Sequence, residues 1–283
     1  MTGGGVEALL DWLHASAAGR RVRAAVSRSR ILHRAVEVAA DSRLSARLVP
    51  WAARRYGIDL AEAEVPPGGF ETFNAFFTRA LRPGARPVDA DPAALVSPGD
   101  GHLLLVAPLG DDVRLVVKGV AAPLAAVLGD AALAAEYRGG AAAILRRYVP
   151  DCHRLILPCA GVPSAPRLVA GGYPAVSPRR GNDVPFLALN RRAVSVHETE
   201  RFGRLALVDV GGFLVASIQH LYAPGAPVDK GAPRSLFRFG GSTLVLVAPP
   251  GRVRFRADLA AAGARGDETP VRMGEAIGWA ERR

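Results

Sequence analysis

The sequence predicts an α+β protein in which an N-terminal helical region packs against a mostly antiparallel β-sheet domain. Two observations carry this. Apolar residues near the N-terminus recur at helical spacing, whereas from Val96 onward short apolar runs alternate with turn residues. Gly 31 and Pro 22 suit a turn-rich β domain better than an all-helical one.

Taken in order, Val6, Leu9, Leu10 and Leu13 fall at helical spacing with Trp12 beside them, and Gly19 offers a stop. A second helix is expected from Arg20 to Ala39, where Val22, Val26, Leu32 and Val36 stand among Arg20, Arg21, Arg23, Arg28, Arg30 and Arg34. A third runs from Leu44 to Tyr56 and ends near Gly57. Pro66-Pro67-Gly68-Gly69 reads as a linker, dividing a helical region, 1–65, from a larger domain, 66–283. Strands are expected at Leu103 to Ala107, Val113 to Val117, Leu155 to Leu157, Leu205 to Val210, Phe213 to Ile218 and Leu244 to Val247, with a helix at Leu124 to Tyr137. No internal repeat or low-complexity tail stands out.

At 283 residues and 49% hydrophobic content, the chain can bury one sizeable core, or a core with a small attached subdomain. The formal charge of +10 favours anionic partners. Lysine occurs only at Lys118 and Lys230, so arginine carries almost all of this charge, and coding bias is an equal explanation for it. Aromatic content of 6% and the lack of a ribonucleoprotein-like or zinc-finger pattern disfavour nucleic acid. Basic amphipathic helices instead fit an anionic membrane surface, the alternative being helices packed on the main domain with their arginines solvated. Cys152 and Cys159 are too few for a disulfide framework and lack a histidine pair at zinc spacing, so no metal is expected and a reducing cytoplasm is the default. No secretory signal is visible, and Val120 to Ala135, interrupted by Pro123 and Asp130, is shorter than the ~20 residues a span needs. Any membrane contact is therefore expected to be peripheral, at the cytoplasmic face.

Phe239-Gly240-Gly241-Ser242-Thr243 runs straight into Leu244-Val245-Leu246-Val247. A serine after two glycines, at the mouth of a strand, can attack its own backbone. Its hydroxyl adds to the Gly241 carbonyl and the peptide rearranges to an ester. β-Elimination then leaves a dehydroalanine that loses ammonia and becomes an N-terminal pyruvoyl group. Glycine suits the attacked position because it tolerates strained backbone angles. A pyruvoyl ketone can take a substrate amine as a Schiff base and accept electrons as a carboxylate leaves. Gly-Gly-Ser before a strand is equally ordinary turn chemistry, so other segments must decide.

Those segments are Thr72-Phe73-Asn74-Ala75-Phe76-Phe77-Thr78-Arg79 with Leu81-Arg82-Pro83-Gly84-Ala85-Arg86-Pro87; Ser97-Pro98-Gly99-Asp100-Gly101; Tyr137-Arg138-Gly139-Gly140; and Pro150-Asp151-Cys152-His153-Arg154 with Pro158. Asn190-Arg191-Arg192, Val208-Asp209-Val210-Gly211-Gly212, Val215-Ala216-Ser217-Ile218 and Lys230-Gly231 follow. In this order, from roughly Leu48 to Val253, the chain resembles the phosphatidylserine decarboxylase family. The resemblance implies a pyruvoyl cofactor derived from Ser242, a self-cleavage role for Asp100 and a decarboxylation role for His153. It also implies a phospholipid substrate at a membrane, and it leaves open whether the chain is a homodimer.

The family pattern has a second histidine three residues after the first, assigned to self-cleavage, and here that position is Ile156. A positioned general base contributes about 10²–10⁴-fold to rate. If Arg154 to Leu157 is a strand, residues three apart face opposite sides, so His153 would need a bulge to reach the same point. His102, two residues after Asp100, and His220 are the other candidate bases; His14, His33 and His197 lie in no matching motif. The leading expectation is conversion of phosphatidylserine to phosphatidylethanolamine. Its rivals are a lipid-binding pseudoenzyme that cannot mature and a decarboxylase of another amino acid or serine lipid. A serine hydrolase is poorer, because no Gly-x-Ser-x-Gly elbow surrounds Ser242.

Overall fold

The computed structural model describes residues 29–117, 120–172, 186–212, 217–238 and 242–281, with Trp12, Ser16, Ala18, Gly19, Arg21 and Val22. Apart from Trp12, the helix expected from Val6 to Leu13 lies outside the described residues, as do Arg20, Arg23 and Arg28, most of the strand expected from Phe213, and Phe239 to Gly241.

Helices span Arg30–Ala40 (α1), Val49–Tyr56 (α2), Phe73–Phe77 (α3), Leu124–Leu128 (α4), Ala131–Ala135 (α5), Phe186–Leu189 (α6) and Ala257–Ala264 (α7). Each has a local cause. The Ser29 side chain accepts from the Leu32 N–H to start α1, and Gly57, at φ 64°, ends α2 in the left-handed region that disfavours a Cβ. The single helix expected over Leu124 to Tyr137 is two. Gly129 turns the chain out of α4 at φ 61°, and Asp130 caps α5 by accepting from the Leu133 N–H.

Strands span Ala94–Val96 (β1), Gly101–Val106 (β2), Arg114–Val117 (β3), Val120–Pro123 (β4), Ala141–Arg147 (β5), Arg154–Ile156 (β6), Val162–Pro163 (β7) and Arg167–Val169 (β8). The remainder are Arg192–Thr199 (β9), Gly203–Gly211 (β10), Ile218–His220 (β11), Pro233–Phe237 (β12), Ser242–Ala248 (β13), Val253–Phe255 (β14), Thr269–Val271 (β15) and Ala276–Ala280 (β16). The main sheet is antiparallel, in the order β15-β2-β5-β13-β10-β9-β7, with β8 also paired to β9. Two three-stranded sheets, β1-β16-β14 and β11-β12-β6, complete the α+β fold beside the β3–β4 hairpin.

Side chains alternate across the main sheet, so it has two apolar faces. Leu104, Ile144, Val208 and Val245 meet Leu124, Val127, Leu133 and Leu187 of the helices on one face. Leu103, Leu145, Leu207 and Leu244 meet Leu95, Leu155, Phe237, Leu259 and Ile277 on the other. Burial on both faces explains why the strands read as continuous apolar runs. A smaller core joins Val49, Ala52 and Ile58 to Phe73, Phe76 and Phe77. The Pro66–Gly69 turn therefore links elements that share one apolar cluster.

Among the described residues, no helix is long and apolar enough to cross a membrane.

Candidate active site

Ser242 opens β13 and is buried, with its hydroxyl 3.3 Å from His153 Nδ1. The contact arises because His153 comes just before β6 rather than inside it, so the alternation that would turn it away does not apply. Its other ring nitrogen, Nε2, lies 3.1 Å from the Tyr148 carbonyl oxygen. If Nε2 carries the proton, Nδ1 is the acceptor facing the serine. Phe77 of α3 stacks on the imidazole with ring centroids 3.8 Å apart.

The segment carrying His153 is braced from α3 and the residues after it. Arg154 Nε donates to Thr78 O at 2.8 Å, and Arg79 Nη2 donates to Pro150 O at 2.9 Å. This is what the Thr72–Arg79 motif does physically. Burial, aided by the Arg147 cation, holds His153 well below the ordinary histidine value, so it is neutral at pH 7.

Asp100 sits elsewhere. Arg86 Nε donates to both its oxygens, at 2.9 and 3.1 Å, and the Met273 N–H donates to Oδ1 at 2.8 Å. Arg86 is shared with Glu62 at 2.9 Å, which ties the residues before the Pro-Gly turn to the Asp-Gly motif. In sheet register, Ser242 pairs with Arg147 and the neighbouring row is Thr243, Arg146 and His102. Gly101 of β2 is thus two strands from Ser242, about 10 Å at ordinary strand spacing, with Arg147 of β5 between them. No hydrogen bond joins Asp100 to Ser242 or His153 among the described residues.

Neither alternative base is hydrogen-bonded to Ser242 among the described residues. His102 shares its row with Arg146 and Thr243, so it faces the opposite side of the sheet from Ser242, with its ring edge-on to Tyr148. His220 Nε2 lies 3.0 Å from Asp209 Oδ2. Of the other histidines, His197 contacts the Cys159 carbonyl and His33 the Ser29 carbonyl, while His14 lies outside the described residues.

Three features were not foreseen from sequence. Arg147 is buried in the same row as Ser242. Asp209, wholly buried, pairs with buried Arg234 at 2.8 Å and accepts from Ser235 at 3.4 Å; burial alone would raise Asp209, but Arg234 and His220 hold it below the usual carboxylate range. Arg238, four residues before Ser242, pairs with Asp41 at 2.9 Å and Glu37 at 3.5 Å, and Glu37 also accepts from Ser217. The signal for the second was a charged residue inside an otherwise apolar strand, whereas the first stands at a strand end and gave none. The third joins distant segments and had none.

A family model matches the stretch that carries these motifs. Residues 73–279 fit the model described as phosphatidylserine decarboxylase, nearly three-quarters of the chain. The chain belongs to the phosphatidylserine decarboxylase family. Relatives named phosphatidylserine decarboxylase proenzyme include one from Ruminiclostridium cellulolyticum, 34% identical over 95% of this chain and 90% of its own length. Another, from Chlamydia muridarum, is 36% identical over 92% and 87%, and one from Clostridium botulinum is 30% identical over 95% and 91%. The family match places Ser242 and His153 inside the matched region, and Glu37 and Asp41 before it.

Proposed function

We propose that the chain is a self-cleaving phosphatidylserine decarboxylase that converts phosphatidylserine to phosphatidylethanolamine. The observation that carries this reading is the Ser242–His153 contact at the head of β13, in a chain whose relatives are named as decarboxylase proenzymes. His153 takes the Ser242 proton as the hydroxyl adds to the Gly241 carbonyl, and scission follows between Gly241 and Ser242. The pyruvoyl group left on the Ser242 backbone supplies an electron sink for the substrate amine. His153, freed of the serine hydroxyl, is then placed to move a proton at the carbon that loses its carboxylate. Asp100 holds the turn before β2 through Arg86 and acts on maturation at a distance rather than by touching the base.

Ser242 and His153 are both buried in the uncleaved chain, which fits a precursor that admits substrate only after scission. The pseudoenzyme reading rested on Ile156. That position carries less weight here, because His153 already reaches the serine. Ser242→Ala is expected to remain one chain, to resist labelling by carbonyl reagents and to release no labelled CO₂ from phosphatidylserine vesicles. Release of CO₂ by that variant would overturn the assignment.

The same reading divides the chain into a membrane-associating helical region, 1–65, and a decarboxylase domain, 66–283. Ile31, Val38, Leu44, Leu48 and Trp51 are exposed among exposed Arg34, Arg43, Arg47, Arg54 and Arg55. That mixture suits the headgroup layer at the cytoplasmic face of a cell membrane. Flotation with anionic vesicles is expected to weaken steeply with salt, because exposed charges are screened over about 8 Å at physiological ionic strength. The exposed apolar side chains should leave a salt-resistant remainder. Equal recovery with neutral and anionic lipid at low and high salt would reject electrostatic docking. A homodimer remains compatible with this reading.

A further inference from the structure

The strand Ala141–Arg147 ends in two buried arginines that face opposite sides of the sheet. Arg146 is paired, to Glu268 at 2.7 Å. Arg147 is not. Its guanidinium lies 4.4 Å from the centre of the Phe237 ring, and Nη1 donates to the Cys152 carbonyl at 3.4 Å. Nε and Nη2 are buried and have no partner among the described residues. Burial pulls its pKa down to about 10, so it is still a cation at neutral pH.

Every carboxylate near Arg147 is already committed. Asp209 is held by Arg234 and His220, Asp100 by Arg86, and Asp151 by the Tyr148 N–H at 2.6 Å. A buried charge without a counter-ion is strongly unfavourable, and two unused N–H groups add to the cost. Among the described residues, no carboxylate faces these two N–H groups.

Self-cleavage makes one at the residue linked to Ser242, the register partner of Arg147. The Ser242 hydroxyl adds to the Gly241 carbonyl carbon, the C–N bond breaks and the nitrogen takes a proton, leaving an ester. Loss of the Ser242 α-proton then drives out the Cβ–O bond, whose electron pair leaves on the Gly241 carboxylate. The resulting dehydroalanine tautomerises and is hydrolysed by water to the ketone and ammonia. A neutral peptide has become a carboxylate on the residue that was bonded to Ser242 before scission, and Ser242 pairs with Arg147 in the sheet. The guanidinium is bracketed by Phe237, four residues before Gly241, and by Cys152, next to the histidine that touches Ser242.

We propose that Arg147 receives the Gly241 carboxylate as it leaves, supplying the stabilising charge for the elimination step of maturation. This rests on the self-cleavage reading above. A carboxylate on the substrate headgroup is the same chemistry from another source, but clamping it would stabilise the ground state more than a transition state from which the charge departs.

The test compares the parent chain with Arg147→Met and Arg147→Lys by intact mass over time, with and without hydroxylamine. Hydroxylamine splits the ester to a Gly241 hydroxamate and an intact N-terminal serine, so it counts chains stalled before elimination. Removing one preorganised donor to a developing oxyanion costs about 10²–10³-fold. Arg147→Met is expected to form pyruvoyl slower by that factor and to accumulate trapped ester, while melting no lower than the parent because an unpaired buried charge is gone. Arg147→Lys, which keeps a cation but not the planar fork, should be slowed less than Arg147→Met. Parent-like maturation in Arg147→Met would overturn the inference, as would slowing in both variants without trapped ester. Normal maturation with a reduced kcat/KM would assign the guanidinium to the substrate carboxylate and also overturn it. A parent chain that never splits and traps no ester sinks the self-cleavage reading itself.

Discussion

His153→Ala is expected to slow scission by about 10²–10⁴-fold, the contribution of a positioned general base. The serine hydroxyl has no other histidine within hydrogen-bond reach among the described residues, and His153 Nδ1 stands 3.3 Å away. Acid dependence gives a second readout of the same group. Burial and the Arg147 cation lower the His153 pKa, so the base stays neutral as pH falls below 6.5. The scission rate should therefore not fall near pH 6.5, where an ordinary histidine titrates, and should fail only well below it. The sign for stability is opposite in appearance but follows from the same shift. Unfolded histidine binds a proton near pH 6.5, whereas native His153 and His197 resist it. Their contribution to stability is complete above that pH and is lost as pH falls below it, by up to about 1.4 kcal/mol per pH unit for each. Urea unfolding of the Ser242→Ala chain at pH 7.5 and 5.5 measures this without interference from cleavage. A rate that halves near pH 6.5, or His153→Ala maturing at the parent rate, would remove His153 from the role of base.

Asp209→Ala is expected to cost about 3–5 kcal/mol of stability, the typical loss on breaking a buried ion pair by deleting one partner. Of its side-chain hydrogen bonds Arg234 would keep those to Ser195, at 3.2 Å, and its charge would have no carboxylate partner among the described residues. The damage should reach the candidate active site. Arg234 belongs to β12, which pairs with β6, and the Phe237 N–H donates to the His153 carbonyl at 3.1 Å. Slower scission should therefore accompany the lower melting temperature. Replacing both partners, as Asp209→Leu with Arg234→Met, should restore much of the stability, because a well-packed apolar pair is often as good as a buried ionic one. A loss below about 1 kcal/mol in Asp209→Ala would mean that the network does not hold these strands.

Much of the fold was legible because the central strands of the main sheet are buried on both faces and so read as apolar runs. The stretches at Leu103, Val113, Leu155, Leu205 and Leu244 all emerged as strands, with ends shifted by one or two residues. The central strand β5 did not stand out. Ala141-Ala142-Ala143 is strong helix-forming sequence, and only pairing between β2 and β13, with all seven residues buried, makes it extended. β9 and β12 were hidden for a related reason. Their polar residues, Ser195 and His197 in one, Arg234 and Ser235 in the other, are satisfied by partners from distant segments, which no local pattern reveals.

At the site, Ser242 was legible from its glycines and strand, and His153 from its motif. What could not be read was their contact, because strand alternation was applied to a residue that lies outside the strand. Asp100 was legible as a motif but not as the partner of Arg86, since that pair depends on how the loop before β1 folds back. Arg147 was invisible for the opposite reason: an arginine at a strand end usually reaches solvent, and here β12 covers it through Phe237.

The central claim is that this chain makes its own cofactor at Ser242. Intact mass of the purified protein after incubation with phospholipid membranes tests it most directly. The account predicts two chains, of 241 residues and of 283 − 241 = 42 residues, the smaller carrying an N-terminal pyruvoyl group that reacts with carbonyl reagents. Only a full-length, 283-residue chain after prolonged incubation, with Ser242 intact, would contradict it.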